Sequence, residues 1–155
     1  MRRVAVDANL LLLLIVGQVD PTFVERHKRL QAFLLADFDL LVDELAKAEA
    51  IVTTPNVLTE VSNLLGDGVN EPLRSRLTLF LESWIPSLLE HYCESRVASK
   101  NRAFGRLGLA DSAWLTLLDS NTELLTADGP LYREALAQGL NSRNWNHIRE
   151  ERGVL

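Results

Sequence analysis

Asp7, Glu60, Asp111 and Asp128 are the residues whose types and positions best suit chemistry. Asp7 follows the apolar run Val4-Ala5-Val6, which reads as a buried strand, and a charge there is desolvated unless something compensates it. Asp128 stands two residues beyond a second apolar strand, Thr122 to Thr126, and just before Gly129-Pro130, where the chain must turn into a helix. Glu60 lies three residues after Val57 and four before Leu64, a helical spacing that sets it along or beside the core face. Asp111 falls in the first turn of another helix and shares its side with Trp114 and Leu115. If the four converge, each pair of charges about 4 Å apart repels by about 4 kcal/mol at an effective dielectric of about 20. That is a large share of a domain's net stability. A divalent cation removes the penalty, and carboxylate oxygen is the ligand that Mg²⁺ and Mn²⁺ prefer. A metal held there could polarise a substrate oxygen or make a bound water more acidic, which is the chemistry of metal-assisted hydrolysis.

Each acid also has a simpler reading. Asp111 alone is a helix cap, Asp128 an ordinary turn aspartate, and Glu60 a side chain reaching solvent from the edge of its face. The succession strand end, helix, helix start, strand end is what favours a joint role. The remaining chemistry-bearing residues offer less. His27, His91 and His147 have no metal-ligand spacing and read as surface or packing residues. Cys93 is the one cysteine, so no disulfide forms within the chain, and it reads as a small hydrophobe. Trp84, Trp114 and Trp145 read as core and edge packing. Arg96, Lys100, Arg102 and Arg106 form the densest basic run; a solvated helix face is the simpler reading, and phosphate contacts beside the acids the functional one.

The elements that must position the acids alternate between strand-like and helical patterns, which predicts an α/β domain with a mostly parallel sheet. Strands are expected at Arg3 to Val6, Ala50 to Thr53 and Thr122 to Thr126, with an edge strand at Asn144 to Ile148. Leu10 to Val16 begins the first crossover. Helices are expected over Pro21 to Leu35, Asp39 to Ala48, Pro55 to Leu65, Pro72 to Trp84, Pro86 to Arg102, from Asp111 onward, and from Pro130 to a close at Gly139. Thr54-Pro55 is a strong helix start and Gly66 a C-cap. Gly105 and Gly108 mark a turn. Residues 1–150 are expected to form a single domain, and the end of the chain, Arg149 to Leu155, to be loosely held, with 151–155 as a tail outside the domain.

The chain has 155 residues, 47% hydrophobic and 24% charged, which suits one folded domain with a real core. Net charge is −5, so contact with a polyanion must rest on a local basic patch or on metal ions. Met1-Arg2-Arg3 followed by apolar residues mimics a leader, but Asp7 and Asn9 interrupt it. The unbroken stretch Leu10 to Val16 falls well short of the ~20 residues that span a bilayer. The chain is expected to be unprocessed, cytoplasmic and without a membrane partner.

Val4-Ala5-Val6-Asp7-Ala8-Asn9, Thr53-Thr54-Pro55-Asn56-Val57-Leu58-Thr59-Glu60, Leu107-Gly108-Leu109-Ala110-Asp111 and Leu124-Leu125-Thr126-Ala127-Asp128 together resemble the four motifs of the PIN domain family of nucleases, in family order. That family includes the VapC-type toxins of toxin–antitoxin pairs. The resemblance spans nearly the whole chain and implies a three-layer α/β/α sandwich and Mg²⁺- or Mn²⁺-dependent cleavage of RNA. It implies Asp7, Glu60, Asp111 and Asp128 as catalytic metal ligands, with Asn9 and Thr126 supporting them by hydrogen bonding to a carboxylate, a water or the phosphate. It further implies an antitoxin partner and a homodimer. Two departures are visible: Gly129 stands where many members carry a basic residue, and the insert between Gly66 and Leu107 is long and helix-rich. Two rivals stand beside this reading. One is a haloacid-dehalogenase-like phosphatase, which would need an Asp where Asn9 stands. The other is a catalytically inactive PIN-like module that binds protein or RNA.

Overall fold

Val4, Ala5 and Val6 are buried on both faces of β1 (Arg3–Val6), the middle strand of a five-stranded sheet. The structure, a computed structural model, describes residues 2–155. β2 (Ile51–Thr53), β3 (Leu89–Glu90), β4 (Thr122–Thr126) and β5 (Ser142–Asn144) complete the sheet in the order β3-β2-β1-β4-β5. Every pairing is parallel, with Val4 opposite Ile51 and Val6 opposite Leu125. The expected mostly parallel sheet is therefore wholly parallel.

Parallel neighbours need crossovers, and these are almost always right-handed. The chain winds outward from β1 to β3, then returns past β1 to β4 and β5. The direction reverses at β1, so helices of the two halves cover opposite faces in a three-layer α/β/α sandwich. On one side α1 (Ala8–Val19) packs against α2 (Leu35–Ala46), α3 (Pro55–Leu65) and α4 (Leu73–Trp84). On the other, α6 (Phe104–Leu117) packs against α7 (Gly129–Ala137). Between Asn9 and Gln18, α1 is apolar all round, and Leu10 to Val16 are all buried; that stretch has no solvent face and must be enclosed. It closes on α2 at Gly17, where an added Cβ would lie 2.1 Å from the Phe38 ring. No helix among the described residues is long and apolar enough to cross a membrane.

Three expected elements are corrected. Pro21 to Leu35 is a 3₁₀ turn, Pro21–Phe23, followed by irregular chain. His27 explains the difference. It is fully buried, its Nε2 lies 2.9 Å from the Leu65 carbonyl, and its Nδ1 accepts the Arg29 N–H at 3.0 Å. The side chain thus takes a backbone donor that a helix would use itself. Pro86 to Arg102 is likewise no helix. A 3₁₀ turn, Ile85–Ser87, leads into β3, which the edge of β2 recruits, and only α5 (Ser95–Ala98) is helical. Asn144 to Ile148 is not a strand: β5 ends at Asn144, whose Oδ1 accepts the Asn146 N–H at 2.9 Å and opens α8 (Trp145–Glu151). The C-terminal segment is also held. Arg149 is 7% exposed with Nε 2.7 Å from Asp37 Oδ1, Arg152 reaches Glu44 at 3.3 Å, and Val154 packs on the core. The expected turn at Gly105 and Gly108 proves to be a break inside α6 at Gly108 alone, with φ 85° and ψ −178°.

Candidate functional site

In an open parallel sheet, a crevice forms beyond the carboxyl ends of the strands where the winding reverses. Here that point lies between β1 and β4, and Asp7 and Asp128 stand just beyond their ends. α3 and α6 bring Glu60 and Asp111 to the same place. All four acids line one small cleft of about 80 Å³, with Ala8 and Asn9 at its edge and Val57, Trp114 and Leu131 among its apolar walls. The sequence-predicted set is therefore brought together.

Asp7 is the most firmly placed. Its Oδ1 caps α1 by accepting the Leu10 N–H at 3.1 Å, and its Oδ2 accepts the Thr126 hydroxyl and, at 3.0 Å, the Ala127 N–H. Burial pushes its pKa up, against the pull of these donors. The Thr126 oxygen also accepts the Asp128 N–H at 2.9 Å, so one fully buried hydroxyl ties the ends of β1 and β4 together. Asp128 caps α7 through Oδ1, which accepts the Leu131 N–H at 3.0 Å, and is exposed. The capping role suggested for Asp111 thus belongs to Asp7 and Asp128. Asp111 makes no hydrogen bond or ion pair among the described residues. Its pKa is raised to about 7, first by burial and then by the charges of Asp128, Asp7 and Glu60.

Glu60 is a correction of degree. Val57, Val61 and Leu65 form the buried face of α3, and Glu60 flanks that face as an exposed side chain on the cleft's rim. Asn9 lines the cleft, exposed, and its amide bonds to no carboxylate among the described residues. Thr126 is the support that the structure places. The basic run divides. Arg102 Nε and Arg106 Nη2 each lie 2.7 Å from Glu134, Arg96 pairs with Glu94 at 2.6 Å, and Lys100 is exposed. Arg102 and Arg106 thus fasten the start of α6 to α7, and the Gln138 amide, with these two cations, lowers the Glu134 pKa to about 2.

Sequence reasoning took only four acids to be in costly places, yet Asp37, Glu44, Glu123 and Glu134 are buried too. Each of those has an arginine partner. No ion pair reaches Asp7, Glu60, Asp111 or Asp128 among the described residues, and that difference marks the cleft. Gly129 brings no side chain to the start of α7; Arg133, exposed one turn on, has Nη1 3.1 Å from where a Cβ on Gly129 would stand, but neither residue lines the cleft.

The donor set fits a hard divalent cation in its chemistry: oxygen only, four negative charges and no competing cation. The cage is not closed, since among the described residues no three His, Cys, Asp or Glu side chains are drawn together as a ready-made metal site. No protein-family model and no curated protein matches the chain. A solved domain of a functionally unknown protein from Methanocaldococcus jannaschii is similar, at 20% identity and a TM-score of 0.46, over 93% of this chain and 91% of that one. So distant a likeness transfers no property.

Proposed function

We propose that the chain is a PIN-type ribonuclease that hydrolyses RNA phosphodiester bonds, with Asp7, Glu60, Asp111 and Asp128 as ligands of Mg²⁺ or Mn²⁺. One observation carries the reading: four carboxylates that have no cationic partner among the described residues share the cleft at the switch point of the sheet. A divalent ion there supplies charge neutralisation, a more acidic water and a polarised phosphate oxygen.

The chain's own residues do the rest. Thr126, Leu10 and Ala127 lock the Asp7 carboxylate, so it needs little ordering on binding. Asp128 keeps one oxygen on the α7 amide and turns the other to solvent or ligand. Asp111, free of hydrogen bonds and poised near neutrality, is the group able to hold or release a proton in the metal-free cleft. The supporting role of Asn9, phosphate contacts from Lys100 and Arg96, an antitoxin partner, a homodimer and a cytoplasmic setting belong to the same reading. The carboxylates and the sheet's switch point support the nuclease; the toxin role rests on the family resemblance alone.

The test is a titration of Mn²⁺ and Mg²⁺ into the parent and Asp111→Asn, following thermal midpoint and cleavage of a mixed RNA pool. Asp111 makes no structural hydrogen bond, so its loss does not confound folding with chemistry. Metal stabilisation with cleavage in the parent, both lost in the variant, is expected. Stabilisation without cleavage favours a metal-binding module, and no response to either ion refutes the centre.

A further inference from the structure

Beside the acid cleft, and sharing Glu60 and Ala110 with it, lies a second cavity of about 580 Å³. It sits over the carboxyl ends of β2 and β3, on the same edge of the sheet as the acids, because every strand runs in one direction. α3 forms one wall with Asn56, Thr59 and Asn63. The chain leaving β3 forms another with Tyr92 and Cys93, and Leu64 and Leu109 supply apolar surface. Tyr92 is 72% exposed, an unusual position for a large aromatic ring with no packing partner.

No Lys or Arg lines this cavity, so it is unsuited to phosphate. What it offers is a flat ring, apolar contact and two side-chain amides that make no hydrogen bond among the described residues. An amide presents a donor and an acceptor together, the pattern found on the edge of a nucleobase. Glu60 and Ala110 line both cavities, so a chain with a phosphate over the acids would have a neighbouring base beside this one.

We infer that this cavity is a base-binding subsite, in which Tyr92 stacks on an unpaired nucleobase of the RNA and Asn56 and Asn63 read its edge. The inference rests on the nuclease reading and adds the source of its sequence preference. A base inside a duplex cannot reach the pocket, so the substrate is single-stranded at the nucleotide beside the cut. Selectivity comes from the amides, and affinity from the ring.

The experiment measures fluorescence anisotropy of labelled hexanucleotides of A, C, G and U, and of a short RNA duplex, against parent, Tyr92→Ala and Asn63→Asp, with EDTA present. Both side chains are exposed, so neither change threatens the fold. The parent is expected to rank the four bases and to bind the duplex more weakly. Tyr92→Ala weakens single-strand binding by roughly tenfold. Asn63→Asp reorders the bases, because an acceptor replaces a donor. Equal affinity for all four bases and the duplex, no binding of any single strand, or variants that match the parent would overturn the subsite. Cleavage by the parent with Mn²⁺ would then leave the nuclease standing alone. Base-ranked binding lost in Tyr92→Ala, with no metal response, would keep the subsite and remove the nuclease.

Discussion

At the scale of the residue, the four acids of the cleft were legible, and the arginine partners of the other buried acids were not. Asp7 and Asp128 announce themselves by following apolar strands. Asp37, Glu44, Glu123 and Glu134 look like solvated acids because their arginines come from far along the chain, as Arg149 does for Asp37. The unpartnered cluster has a stability signature. In Asp111 the folded state holds its proton to about pH 7, while the unfolded chain releases it near 3.8, the ordinary value of a free aspartate. The native state therefore binds more protons across that window, and stability falls as pH rises from about 4 to about 7. Asp111→Asn is expected to flatten this slope and to raise the thermal midpoint at pH 7 without metal. Midpoints of both proteins in EDTA between pH 4 and 8 check it. A parent that gains stability over that range, with the same slope in the variant, would contradict the account.

At the scale of the element, periodicity located the helices that bury one face and failed where a side chain claimed the backbone. α3 and α7 were readable from Thr54-Pro55 and Asp128-Gly129-Pro130, because cap and proline act locally. Pro21 to Leu35 and Pro86 to Arg102 carry helix-like spacing, but His27 and the edge of β2 outcompete it, and neither signal is local. The break in α6 is the element on which the site depends. Gly108 has φ 85° and ψ −178°, a conformation that is nearly glycine's alone, with no atom within 4 Å of an added Cβ. Upstream, Arg102 and Arg106 pin the chain to Glu134; downstream, the helix restarts and presents Asp111. Gly108→Ala meets no clash, only backbone strain. It should cost about 1–3 kcal/mol in a urea unfolding experiment and weaken the Mn²⁺-induced rise in midpoint. Unchanged stability would show that the kink relaxes freely and does not set the position of Asp111.

At the scale of the whole molecule, the sheet order and the location of the cleft follow from one fact, the reversal of winding at β1. What the sequence hid was how the far end of the chain closes the fold. Asn144 to Leu155 reads as a short strand and a loose tail because Trp145 and Arg149 find their partner, Asp37, more than a hundred residues earlier. The Asp37 carboxylate accepts the Trp145 indole N–H at 3.0 Å and the Leu34 N–H at 2.7 Å, and meets Arg149 through Nε and Nη2. Asp37 is fully buried, so α8 acts as a bolt across α2. Arg149→Met keeps the aliphatic bulk and removes the charge, leaving a buried carboxylate with two neutral donors. The expected loss is about 3–5 kcal/mol. Asp37→Leu combined with Arg149→Met should recover only part of it, since the Trp145 N–H would then lack an acceptor. Urea midpoints of the two variants decide the matter. If Arg149→Met unfolds with the parent, α8 is an ornament on a domain complete at β5, and the tail read from the sequence was right in substance.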